Sequence, residues 1–156
     1  MLVLARAKGS SKSPTSSHAA TWLVGDMTKL PVSSATFDLV TTGYGLRNVP
    51  DLPAALAEIH RVLKPGGAFT AVVDLYLESE ATHHWIETLN VPVQLLSAAD
   101  YRSMFEAAGF TEVRDERVLD PRPVPDDYTS GSFKSREDYV RYREEGSLMM
   151  SGQPKK

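Results

Sequence analysis

The order of apolar runs predicts an α/β fold in which strands alternate with helices in packed layers. Three observations carry that expectation. "FDLVTTGY" is a short apolar run with β-branched residues at its centre, suited to a buried strand. Leu52, Ala55, Leu56, Ile59, Val62 and Leu63 then recur at helical spacing, with Glu58, Arg61 and Lys64 available to water. After Pro65, Gly66 and Gly67 stop that helix, "AFTAVVDLYL" resumes as a strand. Strand, helix and strand form one unit, whose right-handed crossover makes the two strands parallel neighbours.

The remaining elements follow in chain order. "MLVLARAK" has helix-forming residues and runs into the polar "GSSKSPTSS", so residues 1–20 read as a helix end and a flexible loop. "TWLVG" is a short apolar run suited to a strand. Only "DMTKLPVSSAT" separates it from "FDLVTTGY". That is too short for a crossover helix, so these two strands are not parallel neighbours or are joined by irregular chain. "SEATHHWIETLN" is a short helix, and "SAADYRSMFEAAG" a stronger one, with Ser97 as N-cap, Asp100 in the first turn and Gly109 past the end. "FTEVRDERVL" is a strand and "DPRPVPDD", with its prolines, a loop. "SREDYVRYREEG" is a helix opened by Ser135 with Asp138 in capping-box position, and "SLMMSG" a final strand. Residues 1–156 read as a single domain, with 120–156 as a C-terminal extension.

Composition bounds the function. A chain of 156 residues, 42% hydrophobic with a net charge of -3, is long enough to bury one core and ill suited to broad phosphate-backbone binding. No apolar run approaches the ~18 residues of a membrane span, and the start lacks the pattern of a secretory signal. The sequence-based expectation is a cytoplasmic protein that acts on a small molecule, with neither nucleic acid nor membrane as partner. The absence of cysteine removes disulfides, thiol nucleophiles and thiolate metal sites; no metal is expected.

In open α/β sheets, ligands bind beyond the carboxyl ends of parallel strands. "VGDM", "TTGYG" and "VVDLY" end there. Asp26 could accept a hydrogen bond from an exocyclic amine while the next backbone N–H meets a ring nitrogen, the pattern that reads adenine. Taken alone, Asp26 is more simply a turn cap before Leu30-Pro31. Gly43 and Gly45 flank Tyr44 and either admit a ligand close to the backbone or shape a turn. Asp74 faces the same cleft or caps a helix. His83 and His84 could accept a proton at neutral pH, although solvated surface histidines are commoner. His60, inside a helix, reads as a surface residue. Trp85, Tyr101, Phe105 and Phe110 could line a pocket, but aromatics near helical spacing are more often core. The charges of "KSREDYVRYREE" fit a solvated helix face held by i,i+4 pairs.

Together, "GDMTKLP", "FDLVTTGYGLRNV", "EIHRVLKPGG" and "FEAAGFTEV", in this order and spacing from Thr21 to Arg114, resemble the class I S-adenosylmethionine-dependent methyltransferases, particularly the small-molecule, quinone-biosynthesis branch. The resemblance implies an incomplete Rossmann-like methyltransferase sheet with flanking helices, and S-adenosylmethionine as cofactor. It implies that Asp26 binds the adenine amine and Met27 the adenine ring through its backbone, and that Thr42, Gly43 and Tyr44 lie beside the methionine part. His83, His84 or Tyr44 would act as base if the acceptor must lose a proton.

The sequence departs from that family in one respect. None of its ten glycines forms a G-x-G-x-G pattern, and no acidic residue ends a second strand, so the chain reads as starting midway through the cofactor-binding half, as a truncated enzyme. In the family's sheet order, 3-2-1-4-5-7-6, strands one and two lie between "TWLVG" and "FDLVTTGY". Their loss leaves "FDLV" with an open edge. Two outcomes are expected: "TWLVG" moves beside "FDLV", or a second molecule covers the edge, as a homodimer or with a partner chain. The activity expected is methyl transfer to a small-molecule acceptor, impaired in this chain alone. The alternatives are a non-catalytic remnant that binds another protein through its edge, or a nicotinamide-dependent oxidoreductase, which needs the same glycine loop.

Overall fold

The computed structural model describes residues 23–89, 92–129 and 131–155. The helix and loop expected over residues 1–20 lie outside the described residues, as do Thr21 and Trp22. Strand β1 (Phe37–Gly43) is followed by a 3-10 turn (Leu46–Asn48), helix α1 (Leu52–Val62), strand β2 (Leu63–Val73) and a 3-10 helix (Glu80–Glu87). Helix α2 (Ala98–Ala107), strand β3 (Phe110–Val118), helix α3 (Arg136–Glu145) and strand β4 (Ser147–Pro154) complete the order.

The strands form one sheet in the order β1-β2-β4-β3. β1 and β2 are parallel, as the strand-helix-strand unit requires, and β4 enters antiparallel to both β2 and β3. This arrangement reproduces the 4-5-7-6 end of the family's sheet order. "SLMMSG" is therefore not an appendage: it fills the gap between β2 and β3.

Local chemistry explains the elements. Asp51 caps α1 by accepting the Ala54 N–H at 3.0 Å, and Pro53 tolerates the first turn because it has no N–H to satisfy. α1 ends at Val62, before Pro65, because Leu63 is already extended. Lys64–Gly67 is not a turn between helix and strand but a bulge inside β2: Phe37 pairs with Leu63 and Leu39 with Ala68. Gly67 is required there, since a Cβ would sit 3.0 Å from the Asp38 and Lys64 carbonyl oxygens. Ser97 caps α2 as expected, and Asp100 completes a capping box there; at α3 Ser135 accepts the Asp138 N–H.

A single core unites sheet and helices. Val40, Phe69, Ala71, Val73, Leu148 and Met150 from the sheet meet Leu52, Leu56 and Ile59 of α1 and Tyr101 and Phe105 of α2. Phe69 stacks on Phe105, and Phe110 packs against both. Tyr101, Phe105 and Phe110 are thus core residues rather than pocket lining. His60 is half-buried and meets Phe110 edge-on at 5.3 Å, so it is a packing residue rather than a free surface one.

Two expectations about "TWLVG" need correction. Its described part, Leu23–Gly25, forms no strand, and Val24 is 92% exposed. The reason is local: the turn at Asp26–Lys29, closed by its own bridge, follows at once and leaves too short a run to extend along β1. Among the described residues, β1 therefore lies at the edge of the sheet, with Leu39 half exposed. Also among the described residues, no helix is long and apolar enough to cross a membrane, and no cluster of ligating side chains could hold a metal.

Candidate active site

The carboxyl ends of β1 and β2 build the centre of the site. β1 runs out into Gly43, Tyr44 and Gly45, and the Tyr44 N–H donates to the Val72 carbonyl at 2.8 Å, extending the ladder by one residue. Tyr44 has φ 59, a left-handed conformation costly for a bulky side chain. Its ring is half exposed. Gly43 has open space where a side chain would be, whereas a Cβ on Gly45 would fall 2.8 Å from Thr42 Oγ1. The first glycine leaves the backbone approachable; the second lets the turn close over Thr42.

Asp74 follows β2 directly and does not cap a helix: it forms an ion pair with Arg47 of the 3-10 turn. Both side chains are nearly buried, at 11% and 13% exposure, and Arg47 Nε has no hydrogen-bond partner. Burial pulls the Arg47 pKa down from its usual value. Its guanidinium lies 5.9 Å from the centre of the Tyr44 ring. Arg47 was not singled out by sequence reasoning, although it stands in the "GLRNV" stretch that carried the resemblance. The clue was available: an arginine and an aspartate following adjacent parallel strands. The Arg47 carbonyl also accepts the Gln94 N–H at 3.0 Å, while Gln94 Nε2 donates to the Val49 carbonyl at 2.7 Å, so Gln94 is held against this turn.

Asp26 and Met27 sit on a separate turn. Asp26 is exposed, and its Oδ1 accepts both the Thr28 N–H and the Thr28 hydroxyl at 2.8 Å. These bonds hold its carboxyl below the usual range, so it is ionised at neutral pH. The turn-capping role is therefore present. It coexists with an exposed, charged acceptor. Met27 packs partly against the core, which fixes the backbone beside Asp26. Glu58 and Arg61 of α1 fasten the turn from below. Glu58 Oε1 accepts the Leu30 N–H at 2.7 Å, and Arg61 Nη2 donates to the Val32 carbonyl at 2.9 Å.

His83 and His84 lie on the 3-10 helix that follows β2. His83 Nε2 is 3.1 Å from the Tyr76 carbonyl, and His84 Nε2 is 2.9 Å from the Ser132 carbonyl. A carbonyl can only accept, so Nε2 carries the proton in both and Nδ1 is left as the basic nitrogen. Tyr44, by contrast, stands at the turn itself, next to Arg47. The structure thus brings together Thr42, Gly43 and Tyr44 with Arg47 and Asp74. It sets Asp26 and Met27 on their own turn and anchors both histidines elsewhere.

Helix α3 is docked by Glu145, whose Oε2 accepts the Ser79 hydroxyl and the Ala81 N–H, both at 3.2 Å, and whose Oε1 accepts Arg141 Nε at 2.9 Å. Arg141 pairs also with Glu80. α3 has no buried residue, in keeping with the solvated charged face read from its sequence.

Comparison with known proteins agrees with this geometry. A family model described as "ubiE/COQ5 methyltransferase family" matches residues 1–98. The 2-phytyl-1,4-naphtoquinone methyltransferase of Nostoc punctiforme is 36% identical over 104 residues, 67% of this chain and 45% of the relative. The demethylmenaquinone methyltransferase of Staphylococcus aureus is 36% identical over an alignment of 117 positions, covering 58% of this chain and 47% of the relative. The chain thus spans about half the length of these curated relatives. Among solved structures, the complex between the Trm112 methyltransferase activator of Haloferax volcanii and a methyltransferase contains a chain 31% identical, with a TM-score of 0.76. That alignment covers 86% of this chain and 61% of the other. With the family model spanning well over half of its residues and the sheet order in agreement, this chain belongs to the ubiE/COQ5 methyltransferase family.

Proposed function

We propose that this chain takes part in methyl transfer from S-adenosylmethionine to a quinone-type small molecule in the cytoplasm, and that 1–156 is one domain of that enzyme. The observation that carries the reading is the strained Tyr44 between Gly43 and Gly45, at the carboxyl ends of two parallel strands, in a chain of this family. Backbone strain of that kind persists where the surroundings hold it for a purpose.

The residues present fit one end of the donor. Asp26, exposed and ionised, suits the adenine amine, and the Met27 backbone beside it suits the ring. Thr42, Gly43 and Tyr44, with open space at Gly43, suit the methionine part. When bound, the donor supplies an activated methyl group for in-line displacement. This chain's residues contribute positioning and exclusion of water. An acceptor that must lose a proton would give it to Tyr44 or, less directly placed, to Nδ1 of His83 or His84. None of the ten glycines forms the G-x-G-x-G loop that would hold the donor's carboxylate, so this polypeptide alone is expected to bind the donor weakly and turn over little.

Calorimetric titration with adenosine and with S-adenosylhomocysteine tests this. The two ligands should bind with similar, weak affinity, and Asp26→Ala should abolish both signals. Tight, selective binding of S-adenosylhomocysteine would refute the incomplete site. A second reading, association with a second copy or a partner protein through β1, is favoured by the edge position of that strand and its half-exposed Leu39. A concentration-independent monomer in sedimentation, unchanged by Leu39→Lys, would remove self-association.

A further inference from the structure

Strands β3 and β4 are joined by an arm, described over residues 119–129 and 131–146, that leaves and re-enters the sheet at one rung: Val118 pairs with Ser147 at the end of their ladder. Gly146 closes this neck with φ 73, and a Cβ there would fall 2.7 Å from Leu119 Cδ2 and 2.9 Å from the Val118 carbonyl oxygen. The two ends of the arm therefore touch. Within, the arm is braced. Tyr139 stacks on Tyr128 at 3.8 Å, and Phe133 meets Tyr139 and Tyr142, each at 5.2 Å between ring centres. Arg143 Nη1 donates to the Tyr139 hydroxyl at 3.1 Å, its Nη2 donates to the carbonyls of Asp120 and Arg122, and Arg136 Nε donates to the Pro125 carbonyl at 3.3 Å. Helix α3 and the loop before it form one body.

The grip of the arm on the rest of the protein is of another kind. It lies on the segment that follows β2, in which Leu75, Tyr76, Ser79 and Thr82 are fully buried. Glu145 Oε2 accepts the Ser79 hydroxyl and the Ala81 N–H, and Arg141 links Glu145 to Glu80. The Ser132 carbonyl accepts from Trp85 Nε1 and from His84 Nε2, and the half-buried Trp85 ring meets Phe133 at 5.4 Å and Tyr142 at 6.0 Å. No residue of α3 is buried, so the helix brings no apolar stripe to this contact. The Arg141 and Glu80 side chains are 53% and 64% exposed. Ion pairs that open to water hold weakly and are screened by salt.

We infer that the arm is a hinged cover. It lifts off the 3-10 helix as one body about the rung of Val118 and Ser147, with Glu80, Arg141 and Glu145 as its latch, and uncovers residues 75–82. Bracing within and a weak hold without put the easiest break between arm and 3-10 helix, so opening there precedes any loosening of the sheet. The Tyr76 hydroxyl, which donates to the Gly146 carbonyl at 2.9 Å, sits at the pivot and keeps the neck in place. Asp74, the partner of Arg47, immediately precedes the covered segment, so the arm closes over the chain that leads out of the candidate site. Lids of this kind control exchange between a cleft and water. Neck, bracing and latch are independent of the reaction proposed above.

Amide hydrogen exchange on the full chain, read by NMR, tests this. The Ala81 amide, bonded to the Glu145 carboxylate, reports the latch, and the amides of Phe69 to Val73 in β2 report the core. Arg141→Gln should speed Ala81 exchange about three- to fivefold and leave the β2 amides unchanged. In a Trp22→Phe background, where Trp85 is the sole indole, the same substitution should make Trp85 fluorescence more open to quenching by acrylamide. Raising sodium chloride from about 0.05 M to about 1 M should speed Ala81 exchange in the unsubstituted chain and have little further effect on Arg141→Gln. Exchange at Ala81 that answers neither to salt nor to Arg141→Gln makes the arm a fixed layer and overturns the cover. Loss of β2 protection in step with Ala81 makes release of the arm part of global unfolding and overturns it equally. The salt series on the unsubstituted chain decides the matter even where the variant folds poorly.

Discussion

Arg47 and Asp74, which follow adjacent parallel strands, close an ion pair beside the Tyr44 turn with little solvent access to either side chain. A buried pair of this kind is costly to break on one side only, because the survivor is stranded. Asp74→Ala should lower stability by about 3–5 kcal/mol, seen as a shift of the urea midpoint at unchanged slope. The double replacement by Met and Leu should cost clearly less than Asp74→Ala. Equal losses in the two proteins would show that the pair is not the source.

Tyr44→Gly relieves the left-handed strain and should raise stability by up to about 1 kcal/mol, whereas Tyr44→Ala keeps the strain and should not. Thermal unfolding separates them. Ligand binding should suffer in both, so the glycine variant gains stability as it loses function.

Tyr101 is fully buried against α1 and the sheet, its hydroxyl has no hydrogen-bond partner, and burial pushes its pKa up to about 12. The unfolded chain releases this proton near the ordinary tyrosine value of about 10, while the folded chain retains it. The contribution is therefore complete below about pH 10 and disappears as pH rises towards 12, a swing of roughly 2–3 kcal/mol. Tyr101→Phe should flatten that alkaline loss and cost little at neutral pH. An unchanged alkaline profile in the variant would argue against it.

The turn that carries Asp26 depends on Glu58 and Arg61, neither of which is placed at the ligand. Arg61→Met should weaken adenosine binding several-fold in calorimetry by loosening Leu30 and Val32. The Glu58 carboxyl is held below its usual value chiefly by its hydrogen bond to Arg61. Its support is therefore present above about pH 4.5 and is lost as pH falls through the lower folded value. Adenosine affinity should decline over that acid range, and Arg61→Met should reduce the dependence to the part that protonation of Asp26 itself contributes.

Much of this was readable from residue order. The period of Leu52 to Val62, the caps at Ser97 and Ser135, and the apolar run "AFTAVV" after Pro65–Gly67 are local signals, and each produced the expected element. What the sequence hid was tertiary. "TWLVG" has the composition of a strand, yet at Leu23–Gly25 the chain enters the Asp26–Lys29 turn instead of pairing along β1. "KPGG" has the composition of a turn, yet the pairing of Phe37 with Leu63 draws it into β2. Around the site, the glycines flanking Tyr44 at a strand end signalled the turn that the structure forms there. Arg47 was not legible, because its meaning depends on Asp74, distant in sequence and adjacent only once β1 and β2 are parallel. The seat of the arm was obscured for the same reason: Phe133 and Trp85 meet only when the loop after β3 folds back.

The position of β4 also governs the order in which the molecule can assemble. Among the described strands it is the latest to be synthesised, yet it lies between two earlier ones, and β3 has no other partner. While the ribosome is still making residues 119–146, β1, α1 and β2 can already consolidate, but β3 must wait with its amides unpaired. A nascent chain at that stage offers a bare strand to chaperones or to neighbouring chains, and translation pauses just before Ser147 would lengthen the exposure.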